Sequence, residues 1–171
     1  MRECWQALKN LSYGVYVVSA ISGEATDSDG TRRMNAMTVR MMTQVSTRPP
    51  RVALAIAKNR LTHDFICDSR QFAVSVLAQG QEMLAGHFGL RSGRNANKLL
   101  EVEYFTAQTG APILRDCCAF FECRLEAAHD MGNCTLFVGE LINGGTSKSG
   151  FPENCRPGNA PLLYREDDYF S

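Results

Sequence analysis

The sequence predicts a β-rich α+β fold, an antiparallel sheet closed into a barrel with a few interspersed helices, and three observations point to it. Runs of β-branched and aromatic residues recur at short intervals, turn signals of the SG, DG and MGN kind separate them, and only two or three stretches carry a helical period. A doubly wound parallel sheet would need a long crossover between every pair of strands. The 171 residues, 44% of them hydrophobic, suffice for a real core, and residues 1–171 read as one domain without internal repeats.

Taken in order, YGVYVVSA (13–20) has strand composition, and a polar turn follows over 22–33. Residues 34–46 alternate, with Met37, Val39, Met41 and Val45 on one face and Thr38, Arg40, Gln44 and Ser46 on the other, which predicts a single half-buried strand. The Pro49–Pro50 pair blocks a helix, and RVALAIA (51–57) reads as a strand buried on both faces. A helix is expected from about Asn59 to Asp68, capped by Asn59 or Thr62. QFAVSVLA (71–78) returns to strand; from Gln79 a helical period runs to Gly89, which is expected to supply a left-handed stop. A short helix is expected at Ala96–Leu100, then strands over 118–128 and 134–142 joined by the turn MGN. Residues 144–160, rich in Gly, Ser, Pro and Asn, read as an irregular loop.

Composition narrows the function. Eighteen Lys plus Arg balance eighteen Asp plus Glu, so neither a nucleic-acid coat nor a polybasic membrane binder is expected. No apolar run approaches the roughly 20 residues that span a bilayer. The opening MRECWQALKN lacks the apolar stretch of a secretion signal, and a cytoplasmic protein is expected. The seven cysteines include no CxxC pair and the three histidines are scattered, so no metal site is expected and the thiols read as free. No GxGxxG follows a strand and no GxxxxGK[ST] occurs.

Charge is distributed unevenly. Between Thr31 and His63 there is no Asp or Glu, while Arg32, Arg33, Arg40, Arg48, Arg51, Lys58 and Arg60 supply seven bases. Thr38, Gln44, Ser46, Asn59 and Thr62 add small polar groups suited to phosphate oxygens and to the edges of a heterocycle. KNRLTH (58–63) lies where a buried strand gives way to a helix, so backbone amides, a cation and the Thr62 hydroxyl can converge on one phosphate. The same residues also describe a capped helix with solvated bases, and at this level both readings stand.

The succession GVYVVSA, NAMTVRMMTQVSTRPPRVALAIAKNRLTHDFI (35–66), FAVSVLAQGQEMLAGHFG (72–89), NKL (97–99) and PLLY resembles the flavin reductase-like proteins with an FMN-binding split barrel, and especially their flavoredoxin-like branch. The resemblance implies a six-stranded antiparallel Greek-key split barrel with flanking helices, a homodimer, bound FMN, and NADH or NADPH as electron donor. It places Asn35, Ala36, Met37 and Thr38 along the flavin and its ribityl chain, and Gln44, Val45 and Ser46 beside the ring. Lys58, Asn59, Arg60, Thr62 and His63 would hold the phosphate, with Phe88 and Arg91 closing the pocket or meeting the neighbouring subunit. The implied activity is an FMN-dependent NAD(P)H oxidoreductase, with hydride accepted at flavin N5 and no catalytic acid or base required. The alternative is a non-catalytic electron shuttle or redox sensor. The chain departs from the family pattern at Glu166, Asp167 and Asp168, acids that would repel a pyridine nucleotide unless they point away or the donor is a reduced protein. No rubredoxin motif follows, so a rubredoxin partner would be a separate molecule.

Overall fold

The computed structural model describes residues 2–26, 30–146 and 160–164. A short helix, α1 (Arg2–Leu8), precedes a small strand, β1 (Tyr13–Gly14), which pairs with β11 (Leu163–Tyr164) near the far end of the chain. The main sheet is antiparallel and built from β2 (Tyr16–Thr26), β3 (Arg32–Val39), β4 (Met42–Thr47), β5 (Pro50–Ala57), β6 (Gln71–Val76), β9 (Ala119–Asp130) and β10 (Cys134–Thr146). Its spatial order is β3-β2-β6-β9-β10-β5-β4. Helices α2 (Leu61–Ser69) and α3 (Glu82–Leu90) and the hairpin of β7 (Tyr104–Thr106) and β8 (Pro112–Leu114) complete the fold.

The sheet therefore has seven strands rather than six, and among the described residues no ladder joins β3 to β4 to close a barrel. The extra strand comes from residues 34–46. At Arg40 the chain makes a tight turn, with Met42 N–H donating to the Arg40 carbonyl at 2.9 Å, and the segment expected as one strand becomes β3 and β4 at opposite edges of the sheet. Val39 is buried whereas Met41 and Val45 are exposed. A turn of this size leaves the alternation of residue types intact, so periodicity alone does not detect it.

Other boundaries move for local reasons. The turn expected over 22–33 is shorter, because β2 continues to Thr26 and β3 begins at Arg32. The expected loop 144–160 begins later, since Gly144 and Gly145 pair with Phe121 and Phe120; a Cβ on Gly144 would lie 3.1 Å from the Phe120 carbonyl oxygen. Residues 147–159, the rest of that loop, and Glu166, Asp167 and Asp168 lie outside the described residues. Residues 96–100 form no helix, with a turn at 98–100. Neither Asn59 nor Thr62 caps α2, whose boundary residue is Arg60 in extended conformation. Gly89 lies inside α3 and is no left-handed stop, the chain leaving extended at Arg91. Among the described residues the cysteines are free, and no group of His, Cys, Asp and Glu is arranged to hold a metal ion. No described helix is long and apolar enough to cross a membrane.

The central strands are apolar on both sides, which fixes where the helices go. On β2, Val17 belongs to one hydrophobic cluster with Ala36, Leu77, Ala85 and Phe88, while neighbouring Val18 belongs to another with Leu54, Ile56, Phe65, Ile66, Phe72 and Phe137. Helix α3 contributes to the first cluster and α2 to the second. The second also joins Val39 of β3 to Val52 of β5, so the sheet curls around it. Burying these side chains contributes on the order of 2 kcal/mol each.

One buried carboxylate fastens the loop before β8. Glu122 on β9 is fully buried and accepts hydrogen bonds from Gln108 N–H (3.0 Å), Thr109 N–H (2.7 Å), the Thr109 hydroxyl (2.6 Å) and the Asn143 amide (2.6 Å). Replacing it with Leu leaves these donors without their acceptor in the interior. We expect Glu122→Leu to lose about 3 kcal/mol of stability or more in a urea titration, and Glu122→Gln to lose less.

Candidate functional site

Strand β3 is an edge strand whose alternate residues face two different helices. Asn35 and Met37 point toward α2: Asn35 Nδ2 donates to Thr62 Oγ1 at 2.8 Å, and Met37 packs against the cluster containing Phe65 and Ile66. Ala36 and Thr38 face α3, with the Thr38 hydroxyl donating to the Ala85 carbonyl at 2.6 Å. The start of α2 and the end of α3 thus meet around the same stretch of β3. Between them lies a small cavity of about 60 Å³, bounded by Asn35, Met37, Thr38, Arg60, Thr62, Phe88, Arg91 and Lys98 together with Leu61, Gly89, Ser92 and Gly93. Liquid water occupies about 30 Å³ per molecule, so the space is on the scale of one tetrahedral oxyanion.

Its walls carry three cations and no carboxylate. Lys98 is only 4% exposed; its ammonium donates to the carbonyls of Phe88 (3.1 Å) and Arg91 (3.2 Å), using two of its three protons to cover the end of α3. Burial, helped by the nearby Arg60 charge, lowers its pKa from the usual lysine value to about 8. Arg91 lies 3.6 Å from the exposed Glu101 carboxylate. Arg60 extends the chain into the first turn of α2, where the leading amides have no acceptor within the helix.

Seven of the fourteen residues expected at the site border this cavity: Asn35, Met37, Thr38, Arg60, Thr62, Phe88 and Arg91. Ala36 is buried beneath it. The others stand elsewhere. Lys58 pairs with Asp130 at 2.7 Å in the β9–β10 hairpin, and that pair, with the Gly132 amide, holds the Asp130 carboxyl below its ordinary range. Asn59 is exposed on the turn. The His63 ring shares a 2.9 Å hydrogen bond with Thr135 on β10 and lies 5.2 Å from the Phe137 ring centre. Gln44, Val45 and Ser46 lie on the opposite edge strand, with Gln44 bonded locally to the Ser46 carbonyl and Val45 51% exposed.

Sequence reasoning gave Lys98 no role, although NKL was among the segments compared. A lysine next to turn residues carries no sign of being buried. Gly93 was also missed: a Cβ at this position would run into the Asn35 amide, which is held in place by Thr62 and cannot easily yield.

Fold and pocket together define a β-sheet domain with a basic, carboxylate-free recess where its edge strand meets two helix ends. Comparison with known proteins gives the family: residues 8–171 match the flavin reductase like domain, and the chain belongs to that family. It is 32% identical over 149 residues to the high molecular weight rubredoxin of Moorella thermoacetica, covering 86% of this chain but only 62% of that protein's length. It is 29% identical over 164 residues to the NADH-dependent flavin reductase StyB of Pseudomonas fluorescens, covering 96% of this chain and 85% of StyB. Among solved structures it resembles the NADH:FAD oxidoreductase SgcE6 of Streptomyces globisporus, with a TM-score of 0.78 and 25% identity over 96% of this chain and 88% of that one.

The Asn35–Thr62 bond is buried, so removing one partner strands the other. Thr62→Val, which keeps the side-chain shape, is expected to lower stability by about 1–3 kcal/mol in chemical denaturation, and Thr62→Ser to restore most of the loss.

Proposed function

We propose that the chain is a flavin-dependent oxidoreductase that binds FMN, takes a hydride from NADH or NADPH, and delivers electrons to a protein or small-molecule acceptor. The observation that carries this reading is a recess the size of a phosphate whose wall has no carboxylate and joins the buried Lys98 to the exposed Arg60 and Arg91. A buried ammonium bonded only to neutral carbonyls has charge left to give an anion, so the residues present fit a phosphate ester.

In this reading Lys98, Arg60, Arg91 and the Thr62 hydroxyl hold the phosphate, with Asn35 fixing the rotamer of Thr62. Met37 and Thr38 border the ribityl chain, and Phe88 forms the apolar wall. Ala36 packs β3 against α3 beneath them. Gln44, Val45 and Ser46 are proposed to border the ring, and Asn59 to line the approach. Lys58 and His63 act from further out, through their bonds to Asp130 and Thr135. Bound flavin supplies the hydride acceptor at N5 and the onward electron donor. The protein's share is orientation and exclusion of water, and none of its groups must move a proton at the reacting atom.

The curl of the sheet supports viewing it as a Greek-key split barrel, and a cytoplasmic homodimer is part of the same proposal. A rubredoxin-type electron partner is the second reading, favoured by the relative named a rubredoxin, of which this chain spans 62%. The visible spectrum of the purified protein, followed by anaerobic NADH or NADPH, separates the cases. Flavin bands that bleach rapidly support the reductase; bands indifferent to both nucleotides favour the shuttle. A colourless protein that takes up no added flavin overturns both.

Two further outcomes test the phosphate seat. Lys98→Met is expected to weaken FMN binding at least tenfold at pH 7, as read by fluorescence titration against a circular dichroism control. Only protonated Lys98 attracts the phosphate, and in the ligand-free protein its pKa is about 8, so wild-type affinity should fall as pH rises from 7 to 9. The same variant should flatten that dependence, because the arginines do not titrate there.

A further inference from the structure

Lys98 borders the recess with its nitrogen held in a way that suits covalent chemistry as well as charge. Its two hydrogen bonds run to the carbonyls of Phe88 (3.1 Å) and Arg91 (3.2 Å), and among the described residues the nitrogen has no third partner. Both carbonyls accept equally well from a neutral amine, whose two protons they then occupy, so the lone pair is left as the one position on nitrogen without a partner. The backbone beneath is fixed as well, since His87 Nε2 donates to the Lys98 carbonyl at 2.8 Å. We propose that Lys98 reacts reversibly with carbon dioxide, and that the carbamate so formed occupies the recess with its carboxylate toward Arg60 and Arg91.

In the reaction the amine lone pair adds to the carbon of carbon dioxide, one C=O π pair moves onto oxygen, and one N–H proton is released to solvent. Nothing is oxidised or reduced, and the nitrogen keeps one N–H for one of the two carbonyls. Burial and the Arg60 charge bring the pKa of Lys98 to about 8, so the neutral form is available near neutral pH. At 4% exposure the amine is closed to bulky reagents, whereas carbon dioxide is small and uncharged, and a recess of about 60 Å³ has room for the group it forms. The product is an anion in a wall with two guanidiniums and no carboxylate, so the surroundings that disfavour the ammonium favour the carbamate. A larger cavity of about 490 Å³ lies beside the recess and shares Leu61 and Gly93 with it, but no lysine borders it, which confines the reaction to the recess. Carbamate and flavin phosphate then compete for the same cations. That competition rests on the flavin reading; the carbamate itself does not.

The lysines of the chain are Lys9, Lys58, Lys98 and Lys148, few enough to separate. The full chain, carrying nitrogen-labelled lysine and with flavin removed, is equilibrated with carbon-labelled bicarbonate and its carbon NMR spectrum recorded. We expect a carbamate resonance split by one-bond coupling to a lysine nitrogen, absent from Lys98→Arg and kept in Lys9→Arg. Trapping the carbamate as its methyl ester, followed by peptide mass analysis, locates it in the wild type without relying on the fold of a variant. Saturating inorganic phosphate should diminish the resonance severalfold, and bicarbonate should raise the FMN Kd about threefold or more relative to chloride of equal ionic strength. Absence of a coupled resonance overturns the proposal, and so does bicarbonate held only as an uncoupled ion or a coupled resonance that survives in Lys98→Arg. A Lys98 resonance that neither phosphate nor FMN diminishes supports the carbamate and overturns the shared seat. A wild type that shows the resonance but binds no flavin supports the carbamate and overturns the flavin reading alone.

Discussion

The hydrogen bond from Asn35 to Thr62 is the constraint on which the arrangement of the site depends. It ties an edge strand to the first turn of a helix through two buried side chains, and so fixes where α2 begins relative to β3. The same amide sets how closely residues 91–95 can approach, since only a glycine at position 93 clears it. Both cavities inherit their shape from this contact, because Gly93 and Leu61 belong to both. On the other face, the Thr38 hydroxyl does for α3 what Asn35 does for α2.

The electrostatics of the site are local. A chain of zero formal net charge creates a region without carboxylates by pairing its bases selectively. Lys58 and Arg51 are neutralised by Asp130 and Glu126, which belong to the long β9–β10 hairpin on the other side of β5. Arg60 and Lys98 border the recess, with no carboxylate in the wall around them. Lys98 carries the cost of that exclusion, since burial and a neighbouring guanidinium both disfavour its charged form.

Much of this was visible in the sequence, and the misses have physical causes. Strands β5, β6 and most of β9 and β10 were legible because continuous or alternating apolar composition reports burial directly, and MGN marked its turn correctly with Gly132 at positive φ. The base-rich stretch from Arg32 to Arg60 pointed to an anion, and half of the residues expected at the site converge on one recess. What composition could not show was the tight turn at Arg40, which leaves residue alternation unbroken while sending the two halves to opposite edges. Nor could it show which bases are already paired, because Lys58 meets Asp130 only through the β5–β10 pairing. Lys98 was hidden for the same reason, its environment being made by residues ten and seven positions earlier.

The anchoring of Lys98 to the Phe88 and Arg91 carbonyls also bears on the timing of binding. Its two bonds hold the ammonium at the recess before any ligand arrives, and the entropy of ordering that long side chain is lost during folding rather than at encounter. A pocket preorganised in this way captures its ligand at a rate governed by diffusion and steering, while contact strength governs residence time. For a phosphate held there as proposed, exchange is controlled at the step of release.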